Sequence, residues 1–294
     1  MPDINLSDSS PATLPAVRRI TPADLFDAMR LGFDDFKAMP SHAVFLCVIY
    51  PLVGIILISA TLGSSTLPLA FPLVAGFALV GPFAAIGLYE LSRRREAGLD
   101  TSPLRAFDIL RSPSLGAILA LGLLLVAIFL VWLAVAQAIY IANFGYSSPS
   151  SIRQFVHEVF ETSAGWRLIV IGTFVGFLFA VAAFCISVVS FPLLLDRAVG
   201  ASVALATSIR VVVSNPATMG LWGIIIAALL VIGSIPFLMG LAVVMPLLGH
   251  ATWHLYRKAV DADAYPRAEP RPPKAVHRSA ADFPAALFPI RRRT

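Results

Sequence analysis

Residues 115–141 read LGAILALGLLLVAIFLVWLAVAQAIYI, twenty-seven positions without one charged side chain. A helix needs about 20 apolar residues to cross the hydrocarbon core, and a barrel strand only about 9–11. This segment therefore predicts a membrane-spanning helix. The rest of the chain agrees. Over its 294 residues it is 58% apolar and 13% charged, against roughly 45–50% and about 25% in soluble domains. So few charges cannot clothe a water-exposed surface. An ordinary soluble enzyme, a disordered chain and a disulfide-rich secreted scaffold are excluded. Cys47 and Cys185 both lie in apolar segments without metal spacing and read as small buried side chains. The first twenty residues are polar and proline-broken, unlike a signal peptide.

Outward from this segment the sequence predicts an all-α, polytopic membrane helical bundle of six transmembrane helices. The spans are placed near 43–62, 67–91, 115–141, 168–195, 217–233 and 236–256. The last two are split at Gly233-Ser234-Ile235-Pro236, because proline removes a donor and clashes with the preceding turn. Residues 1–20 read as a disordered arm, 21–258 as the membrane domain, and 259–294 as a disordered tail rich in proline and arginine. Lysine and arginine divide twenty to two between the two sides, the minority being Arg153 and Arg167. The positive-inside rule then places both termini in the cytoplasm of a bacterium, with a multi-pass body in its inner membrane. Between the third and fourth spans, Ser148-Pro149 predicts the start of a short interfacial helix. Its apolar face is Ile152, Phe155, Val156, Val159 and Phe160. Gly172 and Gly176 allow the fourth span to pack closely on a neighbour within the chain.

A repeat is legible before each odd span. The stretches ending in Arg30, Arg111 and Arg210 each lead to a proline, namely Pro40, Pro113 and Pro216. In the first, Leu25, Phe26, Met29, Phe33 and Phe36 share one face, and Thr21-Pro22 starts the helix. Ser112-Pro113 and Asn215-Pro216 suit the cap and first position of spanning helices. The even spans carry Pro82, Pro192 and Pro246. The expected architecture is three parallel units, each an amphipathic surface helix followed by a helical hairpin.

Two signatures add a resemblance. One is Ser190-Phe191-Pro192-Leu193-Leu194-Leu195-Asp196-Arg197 with Ser208-Ile209-Arg210 and Asn215-Pro216. The other is Leu248-Gly249-His250-Ala251-Thr252-Trp253-His254-Leu255-Tyr256-Arg257-Lys258. Over residues 25–260 the chain resembles a bacterial integral membrane family, domain of unknown function 2189. The resemblance implies about six helices and no established activity. Some relatives carry a provisional label as cytochrome c oxidase subunit I-like. That chemistry needs several histidines within the spans. Here His42, His157 and His277 lie at span edges, in a loop or in the tail, which leaves His250 and His254. The label does not fit these residues.

The candidate polar cluster is Glu90, Asp196, Arg197, His250 and His254, with Arg30, Arg111 and Arg210 reaching the same level from the surface helices. Ionisable groups inside a membrane face the bundle interior or water. Thr252-Trp253-His254-Leu255-Tyr256 reads as an interfacial aromatic belt. No catalytic set, metal site or cofactor motif is expected. The expected function is that of a non-enzymatic accessory, assembly or lipid-interacting protein. Its partners would be anionic headgroups on the cytoplasmic side and a membrane protein, with no nucleic acid. The alternatives are a small transporter with a cytosol-facing polar site built on Glu90, Asp196 and His250, and a membrane protein that binds metal through His250 and His254.

Overall fold

The computed structural model describes residues 14–39, 67–77, 81–146, 151–236 and 238–268, with residues 52, 55, 56, 59 and 149. Most of the first predicted span, the first thirteen residues and the tail beyond 268 lie outside the described residues. The elements are β1 (Ala16–Val17), α1 (Pro22–Ala38), α2 (Ala70–Phe77), α3 (Gly81–Ala84), α4 (Ile86–Glu96), α5 (Leu115–Phe144) and α6 (Ile152–Glu161). They continue with α7 (Ser163–Ser187), α8 (Ser190–Asp196), α9 (Ala201–Ser214), α10 (Pro216–Ser234), α11 (Leu241–Ala259) and β2 (Val260–Asp261). Short 3-10 helices cover Leu67–Leu69 and Pro103–Arg111.

Among the described residues, three stretches are long and apolar enough to cross a membrane: Leu115–Phe144, Ser163–Asp196 and Pro216–Ser234. They coincide with the third, fourth and fifth predicted spans. Within the predicted span 67–91 the described residues form a 3-10 helix, α2, α3 and the start of α4. Pro68 lies in the 3-10 helix, and Pro72 and Pro82 fall in the first turns of α2 and α3, where a missing donor costs nothing. The predicted span 236–256 becomes α11, whose second half carries histidines and cations.

Trp132 joins α5 to its neighbours. Its ring lies 5.7 Å from that of Phe179 on α7, and its Nε1 donates to the Pro72 carbonyl at 3.0 Å. Gly176 backs onto the same ring, where an added Cβ would sit 3.0 Å from it. Among the described residues Gly172 faces open space, so one glycine of the pair serves the close packing. Between α10 and α11 the chain reverses so tightly that a Cβ on Gly240 would lie 2.7 Å from the Gly233 carbonyl oxygen. Only glycine permits that approach.

One end of the bundle is a compact polar cap. Pro22 occupies the first turn of α1, and the Thr21 N–H donates to Asp24 Oδ2 at 2.8 Å. The helix then docks on the second half of α11. Its buried stripe is Leu25, Ala28, Gly32 and Asp35, which corrects the predicted face: Phe26 and Phe33 are exposed. The reason is close approach. A Cβ on Gly32 would lie 2.6 Å from the Ala251 backbone nitrogen, so small residues define the closest contact; Met29 and Phe36 pack beside it, and Phe26 and Phe33 are left outside.

The segments expected to be disordered begin and end in this cap. β1 pairs antiparallel with β2, Ala16 opposite Asp261. The Ala268 N–H donates to the Asp196 carbonyl at 2.9 Å, and the Ala198 N–H to that of Pro266. Residues 14–20 and 260–268 are therefore packed, because their backbone groups find partners inside the cap. The side chain of Asn215 accepts from the Ile20 N–H at 2.9 Å, which ties the start of the chain to the start of α10.

Three local expectations change. Residues 103–111 form a 3-10 helix while α1 and α9 are α-helices, so the three surface segments are not alike. The helix of the third span starts at Leu115, with Ser114 at its cap in place of Ser112-Pro113. The interfacial helix starts at Ile152, because the Ser151 side chain accepts from the Gln154 N–H and caps it there. Its end is fixed by Gly165, where a Cβ would meet the Val159 carbonyl at 2.2 Å.

Candidate functional site

The polar cap encloses three networks, and α11 contributes to two of them. The first centres on Asp35. Four residues separate His250 from His254, so both ring systems lie along one side of α11. Ser92 and Arg95, three apart on α4, face them. The Ser92 hydroxyl donates to Asp35 Oδ2 at 2.6 Å. His254 Nε2 lies 2.9 Å from the same oxygen. Arg95 donates to Asp35 Oδ1. Ser92 Oγ also lies 2.7 Å from His250 Nδ1.

These contacts assign the protons. An ionised carboxylate only accepts, so the single hydroxyl hydrogen of Ser92 points at Asp35. His250 must then donate from Nδ1 to Ser92. In the neutral ring Nε2 carries a bare lone pair, and it is buried without a partner among the described residues. His254 donates from Nε2. Burial raises the pKa of the Asp35 carboxyl, but the bonds from His254, Ser92 and Arg95 outweigh it and hold the group below its ordinary range. Ser92 is fully buried and gives its hydrogen to a carboxylate, so it is not poised as a nucleophile.

The second network centres on Glu90. Arg93 grips it with two bonds, Nε to Oε2 and Nη2 to Oε1, both 2.8 Å. Arg94 lies 3.3 Å from Glu90 and donates to Asp108 at 2.8 Å, which ties α4 to the 3-10 helix Pro103–Arg111. A cavity bordered by Glu90, Arg93, Asp108 and Leu195 has a free volume of about 10 Å³, room for one water.

The third network centres on Asp196. Its Oδ2 accepts from Arg197 at 3.0 Å and from the Tyr256 hydroxyl at 2.8 Å, with Arg257 at 3.4 Å. Arg197 reaches onward to Asp263 at 2.6 Å and to the Tyr265 carbonyl at 2.8 Å. Glu96 closes the ring, accepting from Trp253 Nε1 at 2.9 Å and from Arg257 at 3.0 Å.

Five of the eight expected site residues thus lie in the cap: Glu90, Asp196, Arg197, His250 and His254. The three surface arginines do not join them. Arg30 pairs with Asp27 on the outer face of α1 at 2.7 Å, and Arg111 and Arg210 are exposed. The aromatic belt is also corrected. Trp253 and Tyr256 are buried in the cap because their polar atoms bond Glu96 and Asp196. Cys185 is a half-buried free thiol on α7. Among the described residues no three histidine, cysteine or carboxylate side chains are grouped as metal ligands.

Asp35, Ser92, Arg95 and Tyr256 were missed from sequence. Asp35 had a signal: it continues the stripe of Leu25, Ala28 and Gly32 at helical spacing, and small residues four apart mark a close helix contact. Ser92 carried none.

Comparison with known proteins gives one match. Residues 70–196 match the model of the family described as a predicted integral membrane protein, domain of unknown function 2189. The match takes in Glu90 and Ser92 and ends at Asp196. It is narrower than the stretch on which the resemblance was read, and α1 and α11 lie outside it. No curated protein and no solved structure matches the chain.

Proposed function

We propose that this chain, over a segment shared with that membrane family, is a six-span protein of the bacterial inner membrane with both termini in the cytoplasm. It acts as a non-enzymatic accessory or assembly protein that engages lipid. The six-span count adds the apolar segments 43–62, 67–91 and 236–256 to the three clear spanning stretches. The orientation follows from the excess of lysine and arginine on the capped side.

One observation carries the functional reading. Each buried carboxylate of the cap, Asp35, Glu90 and Asp196, is neutralised by an arginine of the same cap. Arg95 joins Asp35 of α1 to α4, Tyr256 and Arg257 join Asp196 to α11, and Arg94 joins α4 to Asp108, so the networks tie elements of the cap together. A transport site would gather Glu90, Asp196 and His250 on one water-filled cavity. Here they belong to three networks, and the cavity beside Glu90 has room for only about one water.

Native mass spectrometry of the full-length protein, released gently from detergent, tests this reading. The expected result is the chain with phospholipid adducts or a second protein. A stoichiometric metal or non-lipid metabolite overturns it. Orientation is tested separately by thiol labelling of intact cells, with single cysteines placed at Arg153 and at Asp263. Labelling from outside is expected at the first alone.

A further inference from the structure

The 3-10 helix Pro103–Arg111 and α9 hold their inner sides fast. Ala106 is buried with Leu91 and Met39, and Asp108 is bound by Arg94. On α9, Ala204, Thr207, Ser208 and Val211 are buried, and the Ser208 hydroxyl accepts from the Val189 N–H. Their outer sides are apolar and bare. Leu104 is 77% exposed, Phe107 54% and Leu110 64%, and on α9 Val213 is 70% exposed. In water such faces are costly, since apolar area gains about 25 cal/mol per Å² when covered.

Chain continuity says what covers them. Arg111 lies four residues before α5 begins at Leu115, and Arg210 six residues before α10 begins at Pro216. Both α5 and α10 are long and apolar enough to span. At about 3.5 Å per extended and 1.5 Å per helical residue, each arginine sits within roughly 15 Å along the chain of the start of its spanning helix. That is the headgroup layer. Charge says which lipid. Arg93, Arg94, Arg95, Arg105, Arg197 and Arg257 are all paired with carboxylates of the cap. Arg111 and Arg210 make no ion pair among the described residues, so their charge is uncompensated. At the other end of the bundle, α6 carries Glu158 and Glu161 beside Arg153, so that helix bears no net positive charge.

We propose that these two segments bind anionic phospholipid, with Leu104, Phe107, Leu110 and Val213 among the acyl chains and Arg111 and Arg210 on lipid phosphates. The proposal rests on the membrane-accessory reading and names the class of lipid that the protein engages. Rigid, pre-formed amphipathic faces with a basic residue at the rim are suited to that surface.

The test uses the full-length protein in nanodiscs of mixed phosphatidylcholine and phosphatidylglycerol. The lipids that remain bound are counted by native mass spectrometry. Each of Arg111→Gln and Arg210→Gln is expected to lower phosphatidylglycerol retention about fivefold, the ~1 kcal/mol that a basic side chain contributes beside an anionic surface. The lysine variants should retain it, and Arg153→Gln at the opposite end should not change it. Unchanged retention in the double glutamine variant overturns the proposal. Equal loss of both lipids overturns it too, as does displacement by inorganic phosphate in detergent, which marks a free-anion site. Far-UV circular dichroism of the variants should match the parent, since both side chains are exposed and unpaired. A bound metabolite with intact phosphatidylglycerol preference would end the accessory reading alone. Lost preference in a chain free of metabolites would end this inference alone.

Discussion

Helix α7 and the short helix α8 belong to one apolar run in the sequence, yet they live in opposite surroundings. Of the twenty-five residues of α7 only Gly165, Ala183 and Ser187 are buried by protein. All seven residues of α8, Ser190–Asp196, are buried. Phe174 and Phe177 on α7 are exposed, while Phe191 on α8 stacks obliquely on Phe83 with ring centroids 6.1 Å apart. The first helix meets little protein among the described residues, and the second is enclosed by the polar cap. Hydropathy measures how much a residue avoids water, and lipid tails satisfy that as well as a protein core does. Adhesion therefore comes from different sources. In the cap it comes from ion pairs and hydrogen bonds shielded from water. Along α7 it comes from a few close contacts such as Gly176 on Trp132.

This contrast is sharpest at Asp35. Asp35→Ala leaves Arg95, Ser92 and His254 without their shared acceptor, and breaking a buried pair costs about 3–5 kcal/mol. The expected outcome is release of α1 from α11 while α5 and α7 stay folded, measured as a rise in amide exchange across 22–38. Equal loosening of both regions would show that the cap and the spans are one cooperative unit. Tyr256→Phe removes one bond to a carboxylate, a loss of about 1.5–3 kcal/mol. Its unfolding midpoint should fall with the Asp35→Ala effect largely intact in the double variant, since the two lie in separate networks.

Acid tests the same boundary more gently. The folded pKa of Asp35 is lowered, so its contribution is full above the ordinary carboxylate value of about 3.9 and is lost as pH falls through the lower folded value. Asp27, drawn down to about 2 by Lys258 and Arg30, behaves the same way with a smaller effect because it is less buried than Asp35. Amide exchange of α1 should therefore rise below about pH 4, before that of α7. The smallest effect is expected at Gly172, where a new Cβ meets nothing within 4 Å among the described residues. Gly172→Ala should shift stability by less than about 1 kcal/mol and leave the oligomeric state unchanged. A large loss there would mean that α7 has a protein neighbour.

Much of the layout was legible because its signals are local. The spans at 115–141, 168–195 and 217–233 show as long charge-free runs. Thr21-Pro22 and Asn215-Pro216 mark helix starts through proline's fixed φ and missing donor. The resemblance to the membrane family was carried in part by Pro192 and Asp196, within the matched segment. Glu90, Asp196 and the two histidines stood out because charge is rare in such surroundings. Ser92 and Tyr256 did not, because a serine or tyrosine near a helix end is common and becomes telling only when a carboxylate faces it.

Composition and period by themselves determined that this is an α-helical membrane chain, with its polar residues gathered at one level. Both follow from the cost of unpaired backbone and charge in hydrocarbon, which acts on every segment alone. Only the tertiary structure decided which apolar residues face protein, that Gly32 lets α1 lie against α11, and that Asp35, fifty-seven positions from Ser92, accepts its hydrogen bond. Pairing between distant segments depends on the direction of side chains and the distance between axes. No periodicity within one segment encodes either.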